Sequence, residues 1–176
     1  MIRLLIFAFA LTAMIACKEE AKDSRNPANE TEVNIYRSAD SMMSAFKRKD
    51  YTSFAKYNHP TMVKMKGGEE SFVNLLTKQM QMIPDTAIKN MRVGKILQVV
   101  KTADDLQCVV EQNMVMEMES IRVTSTTYLV GESLNGGKNW TFFDGANTGA
   151  VKPTDIKPNL SPELKIPEKK QEVAQM

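Results

Sequence analysis

The chain has a single histidine, His59 in "KYNHP". An imidazole titrates near neutral pH and can act as a general base, so acid–base chemistry is sought here first. Pro60 disfavours helical dihedrals at His59, which ends a helix at this point, and no Asp or Glu lies within four residues to orient the ring. The pattern favours a joint: a ring that packs and hydrogen-bonds where a helix meets an extended piece around Met62 to Lys66. Asp144 closes the aromatic run "WTFFD" and either faces a cavity mouth or caps a turn, the turn being favoured. Gln112 interrupts an apolar alternation. It is the polar side chain placed to line an inward face, unless it sits at a bulge and points outward. Gln112, His59 and Asp144 are thus the weak candidates for binding a ligand, and no residue is assigned a catalytic role.

Met114, Met116 and Met118 in "MVMEM" fall on one side of a strand, and thioethers are soft ligands that suit Cu(I). Methionine is also spread through the helical segments (Met42, Met43, Met80), as in a chain that fills core gaps with it, and the core reading is favoured. Asp104-Asp105 and Glu69-Glu70 fall in a turn and at a helix start, where capping and the helix dipole explain them. "KGG" and "NGG" supply turns and no phosphate cradle. Neither a metal nor a cofactor is expected. A formal charge of +2 gives no strongly basic patch for nucleic acid.

The elements that would position these residues change period once. Ile35, Ala39, Met42 and Phe46 repeat at helical spacing from about residue 32 to 47. Asp50 can cap a short second helix with Tyr51, Phe54 and Ala55 inward. After "KGG" comes a further helix, with Phe72, Leu75, Leu76, Gln79, Met80 and Ile83 as its expected buried face. From Ala87 the period becomes two. Leu106, Cys108, Val110, Met114, Met116 and Met118 alternate with mostly polar partners, and turn compositions fall at 102–105, 118–120 and 135–137. Gly94 suggests a bulge, and Cys108 in "LQCVV" reads as a buried thiol. The expectation is an α+β fold: N-terminal helices packed on one face of a curved antiparallel sheet of about four long strands. Beyond residue 150 the chain is rich in proline and lysine. There "SPEL" could start a helical turn, Leu160, Leu164 and Ile166 could lie on the domain, and "EKKQEVAQM" should be loose.

The first residues carry a different signal. A short basic start and an apolar run from Leu4 to Ala16, too short to span a bilayer, fit a secretory signal over residues 1–16. The ending "MIAC" resembles the lipobox of bacterial lipoproteins, with Met14 where leucine is usual, which implies that Cys17 is lipidated and anchors the chain to a membrane. "KEE" after it resembles the surface-export signal of lipoproteins in the Bacteroidota, or is simply a charged tether. The expected organisation is a signal peptide over 1–16, a lipidated polar spacer over 17–30, a domain over 31–150 and a tail over 151–176. With Cys17 acylated, Cys108 has no partner for a disulfide.

Two helices, "HP", a short extended piece around Met62 to Lys66, a third helix and then four strands ending in "GGKNWTFFDG" together resemble the NTF2-like, cystatin-like cone fold over about residues 31–148. That fold hosts enzymes and binding modules alike. Taken with the lipobox-like ending, the leading expectation is a lipid-anchored envelope protein, in the outer membrane and open to surface display, whose cone binds a small ligand or another envelope protein without catalysis. Two alternatives stand beside it: an isomerase or dehydratase using His59 or Asp144, and a structural component, a homodimer for instance, that pairs through its sheet.

Overall fold

The computed structural model describes residues 25–146 and 151–176; the signal segment, Cys17 and the first part of the spacer lie outside them. Helix α1 (Glu30–Lys47) begins where the Asn29 side chain accepts the Glu32 N–H at 3.0 Å, satisfying one of the donors that a helix start leaves open. Ile35, Ala39, Met42 and Met43 form its buried side. Arg25, which the sequence assigns to the spacer, instead lies over the Tyr36 ring at 5.5 Å and reaches both carboxylate oxygens of Asp40. The chain leaves α1 through Lys49 in the left-handed region, φ 59°, with the Lys49 and Asp50 N–H groups bonded back to Phe46 and Ala45 carbonyls. Asp50 then caps α2 (Tyr51–Tyr57) by accepting from the Ser53 N–H.

The expected extended piece after His59 is instead a short helix, α3 (Pro60–Met65). Proline at the first helical position has its φ preset and loses no hydrogen bond there, so the residue that ends one helix opens the next. Gly67 and Gly68, φ 90° and 91°, turn the chain into α4 (Glu69–Gln81). Here the sequence overstates burial. Of the expected inward face only Phe72 is buried, while Leu75 is 39 % exposed. The helix is held at its start, where Phe72 stacks on Phe54 of α2 at 6.3 Å and Phe54 meets Phe46 of α1 at 5.2 Å; its far end stands off the sheet.

Three long strands come next, β1 (Ile88–Lys101), β2 (Leu106–Met118) and β3 (Ile121–Ser133), with β4 (Thr141–Asp144) much shorter than expected. All pair antiparallel in the order β1-β2-β3-β4. The ladder between β1 and β2 slips between Val93 and Ile96, around Gly94. A Cβ on Gly94 would lie 2.7 Å from Glu111 Cβ, so glycine lets the Glu111 side chain fold over the bulge and accept the Lys95 N–H.

Alternation then sorts the two sheet faces. One carries Met91, Val93, Cys108, Val110, Leu129 and Phe142 against α1. The other carries Val100, Val109, Tyr128, Val130 and Phe143, apolar residues that a sheet covered on one side would expose. The C-terminal segment covers them. A single turn, α5 (Pro153–Ile156), precedes Leu160, Leu164 and Ile166, which pack on this face with Ile156. The helical turn thus falls at Pro153 and not at "SPEL", where residues 162–163 form only a turn. Nor is the end loose: β5 (Lys170–Gln175) pairs with Ile121–Thr126 of β3, beyond the short reach of β4. The architecture is α+β as the sequence predicts, with the C-terminal segment as a third layer.

Candidate functional site

Two places gather the features a site needs, and they lie on opposite faces of the sheet. The first surrounds His59. Its N–H donates to Phe142 O at 2.8 Å, beside a parallel bridge from Asn58 to Phe142, and its ring stands edge-on to Phe143 at 5.6 Å. Nδ1 accepts the Thr61 N–H at the start of α3, so the proton of the neutral ring belongs on Nε2. Nε2 lies 2.9 Å from Glu132 Oε2, an ion-pair distance off the alignment of a regular hydrogen bond. The histidine is a joint between helix and strand. It is also oriented by a carboxylate 73 residues away, which no local reading of "KYNHP" could supply.

Glu132 projects from β3 onto the face covered by the C-terminal segment, and its other oxygen takes Lys157 Nζ. Lys157 also donates to Asp105 Oδ2 at 2.5 Å and to Asn159 Oδ1 at 2.9 Å, which occupies all three ammonium donors. Asp105 accepts further bonds from the Thr102 hydroxyl at 2.7 Å and Gln107 Nε2 at 2.9 Å, and Gln107 Oε1 accepts the Ser161 N–H at 2.8 Å. Burial pushes Asp105 up, but the bonds from Lys157, Thr102 and Gln107 outweigh it and hold the carboxyl below its ordinary range. For His59 burial dominates: it lowers the imidazole pKa against the opposing pull of Glu132, and the neutral ring is favoured. A His–Glu pair of this kind is what a general base requires. Yet His59 is 6 % exposed and Lys157 1 %, so a reactant would first have to displace the covering segment.

The second place is open. Where α4 stands off the sheet, a cleft of about 320 Å³ remains between the end of α1, the end of α4 and the start of β1. That size is at the lower end of small-molecule sites, roughly 300–1,000 Å³. Its walls are Phe46, Tyr51, Met80, Ile83, Ile88 and Met91, and its rim carries Lys47, Lys49 and Lys89 against one carboxylate, Asp85. Lys49 pairs with Asp85 across the mouth, both ends well exposed, and Lys89 lies 3.4 Å from Glu117. The sheet pairing sets Ile88 beside Met116 and Met91 beside Met114, so two methionines of the row neighbour wall residues from the adjacent strand. No cluster of three or more His, Cys, Asp or Glu placed to hold a metal ion occurs among the described residues.

The sequence candidates divide between these places. Gln112 does face the helices: it is half-buried, with Nε2 3.5 Å from Met43 Sδ and Oε1 3.5 Å from the Thr127 hydroxyl. Asp144, at the end of β4, accepts the Ala146 N–H at 3.0 Å, which makes it part of a turn. Burial pushes the Cys108 thiol far up, which suits an unreactive core residue. Glu132, Asp105, Gln107 and Lys157 escape the sequence reading, although a signal for them exists. Gln107 and Glu132 alternate onto the face that the apolar residues of the C-terminal segment would cover, and a lysine beside Ile156 must then find carboxylates.

No family model matches the chain, and no curated protein does. Among solved structures, a ketosteroid isomerase-like protein from Erwinia carotovora atroseptica SCRI1043 is similar at 15 % identity, over 65 % of this chain and 92 % of that one, with a TM-score of 0.39. An NTF2-like protein of unknown function from Burkholderia pseudomallei K96243 is similar at 11 % identity, over 63 % of this chain and 90 % of that one, with a TM-score of 0.33.

Proposed function

We propose that this chain is a lipid-anchored envelope protein whose NTF2-like module binds a small, largely apolar ligand in the cleft between α1, α4 and β1, without catalysing its conversion. One observation carries the reading: access and acid–base chemistry are separated. The histidine and its Glu132 partner lie under the C-terminal segment, whereas the cleft between α1, α4 and β1 opens to solvent and is walled by aromatic, isoleucine and methionine side chains. An enzyme of this size would bring a positioned base within hydrogen-bond reach of its substrate; a binding module needs shape and apolar surface. Methionine walls support the second, since their flexible thioethers adapt to different ligands. The resemblance of "MIAC" to a lipobox supports the anchor at Cys17, and that of "KEE" to a surface-export signal supports a place in the outer membrane, facing either side.

Two measurements test this. A neutral apolar dye, Nile red, is expected to bind with one site per chain and to be excluded by Ile83→Trp, which fills the cleft from a half-buried position. Undiminished dye binding to a folded Ile83→Trp would place the ligand elsewhere. Mass spectrometry of the chain made in a lipoprotein-processing bacterium should find a diacylglyceryl group on Cys17, lost in Cys17→Ser. An unmodified Cys17 would remove the anchor.

A further inference from the structure

The rim of the cleft is more specific than its walls. Four charged side chains border it, three of them lysines. Lys47 stands in the last turn of α1, where the helix dipole already favours a cation, and forms no ion pair with a described residue. Lys49 has no such excuse. It occupies the left-handed position after the helix, where glycine is the least strained residue and any other side chain costs free energy. From there its ammonium bridges the mouth to Asp85. Both partners are more than half exposed, so the bridge is weak and readily exchanged for another anion. An apolar floor with a cation held above it by a replaceable carboxylate is the arrangement that accepts an apolar chain ending in an anion.

Resting on the cleft reading above, we propose that the ligand is a single-chain amphiphile with a carboxylate head, a free fatty acid of medium length. Its tail lies against Met80, Ile83 and Met91, and its carboxylate takes Lys49 from Asp85, with Lys47 as the second cation. Asp85 acts as a stand-in for the head group while the cleft is empty. It therefore competes with the ligand, and the rim selects charge while the walls accept any chain that fits.

Calorimetric titration of the protein with decanoate, decanol and decyltrimethylammonium, each below its micellar concentration, tests the assignment. Methyl NMR of 13C-labelled methionine locates binding through the Met80 and Met91 signals. Decanoate is expected to bind about tenfold more tightly than decanol and the cationic chain least. Lys49→Gln should remove most of that preference, and Lys47→Gln with it the rest, while leaving decanol binding in place. Asp85→Asn should strengthen decanoate binding by about two- to fivefold, the worth of one exposed ion pair, an effect that a merely structural role for Asp85 would not produce. Equal binding of decanoate and decanol, or no gain in Asp85→Asn, overturns the carboxylate assignment and leaves the apolar cleft standing. Unmoved Met80 and Met91 signals with all three probes overturn both.

Discussion

The two sides of the sheet handle polar groups in opposite ways. On the covered side, Lys157, Asp105, Glu132, Gln107 and His59 make a network in which each charge faces an opposite one and the lysine has no donor to spare. On the open side the charges stand at a rim, paired loosely or not at all, above apolar walls. The first arrangement holds a histidine and its carboxylate partner under the C-terminal segment; the second is open and keeps its charges, three lysines and Asp85, at the rim. A titratable cluster becomes a site only when something outside can reach it. Otherwise its job is to fix one geometry, here that of the C-terminal segment against β2, β3 and the α2–α3 joint.

The contrast can be broken by substitution, and the largest effect is expected at Lys157. Lys157→Met leaves the Asp105 and Glu132 carboxylates without their shared cation. Stranding a buried charge in this way costs about 3–5 kcal/mol, read as a lower urea midpoint at pH 7. A loss under about 1 kcal/mol would mean that water already reaches the cluster, and the two faces would differ less than their geometry says.

The pH dependence is expected to be smaller. The native state holds the His59 pKa below its ordinary 6.5, so the unfolded chain takes up the proton first. Stability should be level above about pH 6.5 and fall as the pH drops through 6.5 toward the native value. This window is separate from that of Asp105, whose contribution is lost only below its ordinary 3.8. His59→Asn should flatten the upper window in urea titrations between about pH 7.5 and 5.5; an unchanged slope would assign the loss to other groups. The smallest change in stability is expected at the rim. Lys49→Gly relieves a left-handed side chain and removes an exposed ion pair, and these opposing effects should cancel to within about 1 kcal/mol by thermal denaturation.

Local chemistry was well legible in the sequence. The Asp50 cap, the bulge at Gly94 and the helix-facing row of Cys108 and Val110 can each be read from near neighbours or from a period. Failures began where a second element decides the outcome. Pro60 stops a helix and starts one with equal ease, and the helix that follows it is capped by His59 Nδ1 on the Thr61 N–H while the His59 N–H is held by β4. The apolar face of α4 is real, but its burial depends on how closely the helix tip approaches β1, which periodicity does not encode. The tail reads as loose because its strand β5 has no buried side chain; backbone pairing with β3 holds it. Of the site, the methionine row was visible as a core pattern and the cleft beside it was not, because a cleft is a gap between elements and leaves no mark within any one of them.

The covering segment is expected to dock late in folding. Lys157 lies 52 residues beyond Asp105 and 25 beyond Glu132, so β1 to β4 can pair and close on α1 while those carboxylates are still hydrated. Dehydration of the cluster is expected in one late docking step, in which Ile156, Leu160 and Leu164 gain apolar contacts together with the ion pairs. The last layer on should be the first to leave. In native-state hydrogen exchange, the bonded amides of Lys157, Leu160 and Leu164 are expected to open at lower denaturant than those of β2 and β3, as one unit and with the helix-side core intact.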